Sequence, residues 1–156
     1  MEAVFAALEG TALAQALRQA RWGYAAVNAT HILGIALLVG AILPLSLRFL
    51  GLWRSVPRAA LVRVLVPVAA AGLALAVAAG LLLFSVRARE YAGLGVLQIK
   101  LVLVATGALA AVALHVRHGF LLETAGEARL RVHAALSIAC WLGALACGRL
   151  IAFAGG

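Results

Sequence analysis

Aspartate is absent from the 156 residues, lysine and methionine occur once each, cysteine twice and proline three times. The carboxylates are therefore all glutamates (Glu2, Glu9, Glu90, Glu123 and Glu127), set against twelve arginines and Lys100, for a formal charge of +8. Cys140 and Cys147 lie seven residues apart in one apolar run, about 10 Å along a helix axis, too far for a mutual disulfide. They are read as small packing residues. No CxxC, Walker or GxGxxG pattern occurs, so no redox dithiol or nucleotide fingerprint is on offer.

What fills the chain instead is apolar. Hydrophobic residues make up 66% of it and the mean hydropathy is +1.12, more than a soluble domain of this size can hide. A membrane helix needs about 20 mostly apolar residues, and four stretches qualify, at roughly 24–45, 61–86, 94–116 and 132–153. The expected fold is all-α: one integral membrane domain, a four-helix up-down-up-down bundle. "MEAVFAALEGTALAQALRQA" lacks the basic start and cleavage site of a signal peptide. Its loose helical spacing predicts a short N-terminal interfacial helix broken near Gly10, with Trp22 and Tyr24 marking the water boundary. Pro44 and Pro57 are expected to bracket the first connection, and Pro67 to start or kink the second span. "NAT" at 28–30 falls inside a span, which removes its glycosylation reading.

Seven arginines follow spans one and three (Arg48, Arg54, Arg58, Arg63, Arg117, Arg129, Arg131), and five lie on the opposite side (Arg18, Arg21, Arg87, Arg89, Arg149). Positive-inside reasoning then places both termini and the 87–93 loop outside, periplasmic if the membrane is a bacterial inner membrane. The charge is assigned to anionic lipid headgroups of the bilayer; a nucleic-acid partner is not expected. Glycine-rich faces on so small a bundle point to a homodimer, with any redox partner unnamed.

Polar groups at membrane depth are few. Counting 1.5 Å per residue, His31 lies about 10 to 13 Å below the outer boundary, Lys100 about 9 Å and Arg149 about 6 Å. Asn28 and Tyr24 precede His31 by three and seven residues and share its helix face. Only Glu90 among the carboxylates lies near this layer, and an unpaired cation in a membrane costs at least about 2.5 to 3.5 kcal/mol. Either the cations snorkel to the interface or an anionic ligand supplies the counter-charge. Small residues flank the layer: Ala69, Gly72, Ala76 and Ala79 in span two, and "CWLGALACG" in span four. They serve close helix packing or leave a slot for a flat cofactor, and haem fits the chemistry, an imidazole from His31 binding iron while cations hold propionates. His115, His118 and His133 lie near the inner boundary, roughly 18 Å or more from His31. They form either a solvated cluster or a second haem or metal site made by His115 or His118 with His133.

"WGYAAVNATHILGIALLVGAILPLSLRFLGL", "GLLLFSVRAREYAGLGVLQIKLVLV" and "LSIACWLGALACGRLIAF" resemble a four-helix bacterial membrane family of unknown function. That family is in turn distantly similar to the copper-resistance protein CopD and to HemJ-type protoporphyrinogen oxidases. The resemblance covers about residues 7–153. Its motifs are an early histidine in the first span, LRxLG at that span's end, F before the outer loop, QxK opening the third span and GR near the end of the fourth. HemJ-type proteins pair a first-span histidine with a third-span lysine and bind haem b, and His31 and Lys100 match those positions. The chain departs at Ser46, where an acid is expected, so no acid-dependent step at the cytoplasmic mouth is carried over; nor is the oxidase activity. The resulting expectation is a haem-b redox or electron-transfer protein. His31 is the axial ligand, Lys100 the second ligand or propionate partner and Arg149 a propionate partner, with Asn28 and Tyr24 lining the site. The alternatives are a carrier or permease element for copper or an anionic solute, and a cofactor-free assembly subunit.

Overall fold

Long Ala/Leu/Val runs interrupted only by short arginine-bearing linkers give helices throughout the computed structural model, which describes residues 2–154. Two short helices, α1 (Glu2–Glu9) and α2 (Ala12–Gln19), precede α3 (Arg21–Leu50) and α4 (Arg58–Val86). A five-residue turn of helix, α5 (Ala88–Ala92), leads to α6 (Gly95–His118) and α7 (Glu127–Ala154). The helices α3, α4, α6 and α7 are long and apolar enough to cross a membrane, and they form a helical bundle. Its polarity suits lipid: Leu81, Val102, Leu109, Val112 and Val116 point outward, while the helix contacts are built largely from small residues.

The break near Gly10 falls between α1 and α2, where the Thr11 hydroxyl caps α2 by accepting from the Ala14 N–H at 3.3 Å. Three expected boundaries shift. The helix continues through Pro44 to Leu50, so the first connection is 51–57 and Pro44 does not bracket it. Neighbouring helices can tolerate the one hydrogen bond that proline removes. Gly51, at φ 110°, then ends the helix in the left-handed conformation that glycine adopts without Cβ strain. Pro67 sits nine residues inside α4, which starts at Arg58, and α7 starts at Glu127.

Two antiparallel pairs organise the bundle. Along α3 and α4, His31 meets Ala76 and Gly80, Gly34 meets Ala76 and Gly72, and Leu38 meets Gly72. A Cβ placed on Gly34 would lie 2.5 Å from the Ala76 nitrogen, and one on Gly72 would lie 2.6 Å from the Leu38 nitrogen. Backbone touches backbone there, so the small-residue stripe of α4 serves helix packing. Along α6 and α7, Lys100 meets Gly148, Leu103 meets Gly143, and Gly107 meets Trp141 and Cys140. Among the described residues α3 also packs on α7, whereas α4 and α6 have no Cα pair within 8 Å. The four long helices therefore run in the contact order α4, α3, α7, α6, with α4 and α6 not in close backbone contact.

At one end, Leu45 and Phe49 of α3, Val62 of α4, Leu114 of α6, and Leu130 and Ala134 of α7 form the main apolar cluster with Leu122 and Ala125 of the 119–126 linker. Leu122 adopts φ 57°, an unfavourable value for a residue with a Cβ. Full burial of its side chain and the hydrogen bond from Arg58 Nη2 to its carbonyl, at 3.0 Å, hold it there.

Candidate functional site

His31 stands on α3 where that helix faces α4. Its Nδ1 lies 2.7 Å from the Ala76 carbonyl oxygen. A carbonyl can only accept, so Nδ1 carries the proton and, in the neutral ring, Nε2 keeps its lone pair. The space for the ring comes from Gly80, where a Cβ would stand 3.1 Å from His31 Cε1. The contact fixes the tautomer and the plane of the ring and leaves Nε2 as an acceptor.

Lys100, on α6, is half-buried and runs over Gly148 of α7, whose missing side chain leaves its Nζ 3.4 Å from where a Cβ would be. Cys147 adjoins it, and its charge is near enough to act on His31. Position by position, the chain explains its own motif: the glycine of "GR" makes room for the lysine of "QxK". The structure thus brings His31 of α3 and Lys100 of α6 near enough for the charge of one to act on the other.

The other three expected members are exposed. Arg149 is exposed, with its guanidinium carbon 5.0 Å from the centre of the Phe153 ring, a cation–π arrangement one turn towards the helix end. Asn28 is exposed. Tyr24 is also exposed and reaches Tyr91 of α5; burial, followed by the neighbouring Tyr24 phenol, pushes the Tyr91 phenol above its ordinary range.

Among the described residues no carboxylate pairs with Lys100 or His31. Glu90 pairs with Arg87 at 3.4 Å. Glu9 accepts from the Arg89 backbone N–H at 3.0 Å and pairs with its guanidinium at 2.8 Å. Those contacts, the backbone one foremost, hold the Glu9 carboxyl below its ordinary range. The α1–α5 clasp is completed by Phe5 edge-on to Phe84 at 6.1 Å and by Arg18, which donates to the Val86 carbonyl at the end of α4.

The second set of histidines divides. Arg129 Nη1 donates to His118 Nε2 at 2.7 Å, which puts the His118 proton on Nδ1, where Thr124 Oγ1 accepts it at 3.0 Å. Both ring nitrogens are thereby occupied. His115 Nδ1 donates to the Phe120 carbonyl at 3.1 Å. His133, which faces the Ala110 backbone and His115, has both nitrogens buried without a hydrogen bond of good geometry. Among the described residues no group of three or more His, Cys or Glu side chains could enclose a metal ion.

Sequence reading used the arginines around the 51–57 linker only for orientation and missed their hydrogen bonds. Arg48 donates from Nε to the Val56 carbonyl at 2.9 Å and from Nη2 to the Arg54 carbonyl at 3.3 Å. The LRxLG motif is therefore a linker clamp: its arginine gathers carbonyls and its glycine turns the chain. The signal was in the sequence, as three arginines within eleven residues beside a helix-ending glycine. Comparison of the chain with protein-family models, curated proteins and solved structures finds no match.

Proposed function

We propose that the chain is a multi-pass protein of the bacterial inner membrane, up-down-up-down with both termini outside, in which the His31–Lys100 layer binds haem b for redox chemistry or electron transfer. The observation that carries this reading is the His31 ring, oriented by the Ala76 carbonyl with Nε2 left free. A lone imidazole so held suits a haem site, since haem iron needs one or two protein ligands rather than an enclosing set. Lys100 adds a cation without a carboxylate partner, suited to a propionate; its amine could serve instead as the second ligand. Arg149 remains a propionate partner only if its side chain leaves Phe153.

When bound, haem supplies one-electron chemistry. The residues of the chain would hold and orient it: Ala76 and Gly80 fix the imidazole, and Gly148 seats the lysine. The resemblance to HemJ-type proteins supports the same pair. The carrier reading draws on the same unneutralised Lys100, with copper or an anionic solute passing the layer. The third reading is a cofactor-free assembly subunit, in which the glycine-rich faces serve only the packing of the helices on one another.

The experiment is an absorption spectrum of protein produced with ample haem and purified in mild detergent, oxidised and then reduced with dithionite. A Soret band with sharpened α and β bands is expected, lost in His31→Ala and kept when His115, His118 and His133 are all alanine. A folded parent without a Soret band removes the haem reading; loss of the whole spectrum in a folded triple variant would move the site to the other end.

A further inference from the structure

A cavity of 440 Å³ opens at the opposite end of the bundle from His31, between the 51–57 linker, the first turn of α4 and the start of α7. Arg48, Arg54, Arg58 and Arg131 line it with Glu123 and Glu127. Four positive charges against two negative ones leave a net +2 on the wall (4 − 2), since guanidinium stays protonated. The size falls within the range of about 300–1,000 Å³ common for small-molecule sites.

The guanidiniums are held without being neutralised. Arg48, Arg54 and Arg58 donate to the main-chain carbonyls of Val56, Arg54, Gly51, Leu122 and Ala125. A neutral carbonyl fixes a guanidinium plane but leaves its charge in place, and further N–H donors of each fork remain. Only Arg131 meets a carboxylate, Glu127, at 3.4 Å. The start of α4 adds to this. Its N-cap is Pro57, which provides no side-chain cap; the Ala60 and Leu61 N–H groups donate to the Pro57 carbonyl, and those of Arg58 and Ala59, two residues of the cavity wall, are left as donors. Leu50 at the end of α3 and Leu52, Trp53 and Val56 of the linker stand exposed. Arginines and an exposed tryptophan in one connection between long apolar helices are the composition of a membrane–water boundary.

We infer that this cavity binds a phosphate group, with the fixed guanidiniums and the uncapped turn of α4 as donors. The group comes either from an anionic phospholipid, whose acyl chains would follow the exposed linker side chains, or from a phosphorylated solute. The site is independent of the haem reading and stands or falls without it.

The full chain in detergent is titrated with dihexanoyl phosphatidylglycerol and, separately, with inorganic phosphate, and binding is followed by calorimetry. Arg54→Gln and Arg131→Gln remove donors while sparing the Arg48 and Arg58 clamps; Arg117→Gln, at the same end but outside the cavity, is the control. Loss of about tenfold in affinity for each cavity arginine removed, with the control unchanged, is the expected result. If that loss is seen for the lipid the source is a headgroup, and if it is seen only for phosphate the source is a solute. Three results would overturn the inference: no binding of either probe, equal binding by the parent and the folded Arg54→Gln/Arg131→Gln double variant, or an equal loss in Arg117→Gln.

Discussion

Replacing Gly34 by alanine tests the contact on which the His31 geometry depends. The added Cβ would stand 2.5 Å from the Ala76 nitrogen and 2.9 Å from both the Ala76 Cα and the Gly72 oxygen. Non-bonded atoms settle at about 3.5 to 4.0 Å, so α3 and α4 must part locally by about 1 Å. All three opposing atoms are backbone, and no side-chain rotation relieves the overlap. Overpacking of this kind costs about 1 to 3 kcal/mol. Gly40, on the same helix, has nothing within 4 Å of a Cβ and is the internal control. Both substitutions share the same gain in helix propensity of about 1 kcal/mol. Their difference therefore isolates the contact: Gly34→Ala is expected to be less stable than Gly40→Ala by about 1 to 3 kcal/mol. Unfolding in mixed detergent micelles, followed by circular dichroism, measures it. The same displacement pulls Ala76 from His31, so any His31-dependent spectrum should weaken in Gly34→Ala alone. Equal stability of the two variants would refute the close approach of α3 and α4.

Lys100→Arg is expected to keep partial haem binding and Lys100→Met to lose it if the ammonium neutralises a propionate, whereas both fail alike if the amine ligates iron; haem titration reads the difference. The Glu9–Arg89 clasp should release in acid. Because the folded-state value of Glu9 is depressed, its contribution is complete above the ordinary glutamate value of about 4.3 and is lost as pH falls through the folded-state value. A spin label at Val4 should then turn mobile in acid, and a Glu9→Gln protein should show that mobility at neutral pH; a label that is immobile throughout would refute the clasp. Maleimide added from outside should label Gly93→Cys in a chain freed of native cysteines and spare Ser55→Cys, and the reverse pattern would invert the topology.

Hydrophobic run length alone disclosed the four long helices, because a helix that faces lipid needs no periodic polar face. It failed at their ends. Pro44 reads as a breaker in water, yet an apolar surround lets the helix carry it six residues further to Leu50. Depth counting put His31 and Lys100 in one layer, since rise per residue is fixed within each helix. It also gave Arg149 a place there, but depth says nothing of azimuth or of where a long side chain turns, and Phe153 draws that guanidinium towards the helix end. The role of Ala76 was not legible at all: its carbonyl belongs to the main chain, and no residue type announces a hydrogen bond accepted from His31.

The contact order α4, α3, α7, α6 bears on how the protein is assembled. Each neighbouring pair is packed along its own length, by Gly34 and Gly72 in one and by Gly107 and Gly143 in the other. The first hairpin can thus be finished while the second is still being synthesised. Between the long helices the halves share one seam, α3 against α7, laid down only when the last helix arrives. A large loss of α3–α7 contact would then leave two intact hairpins rather than an unfolded chain. The molecule is in this sense a dimer of unlike halves written into one polypeptide, joined covalently through α5.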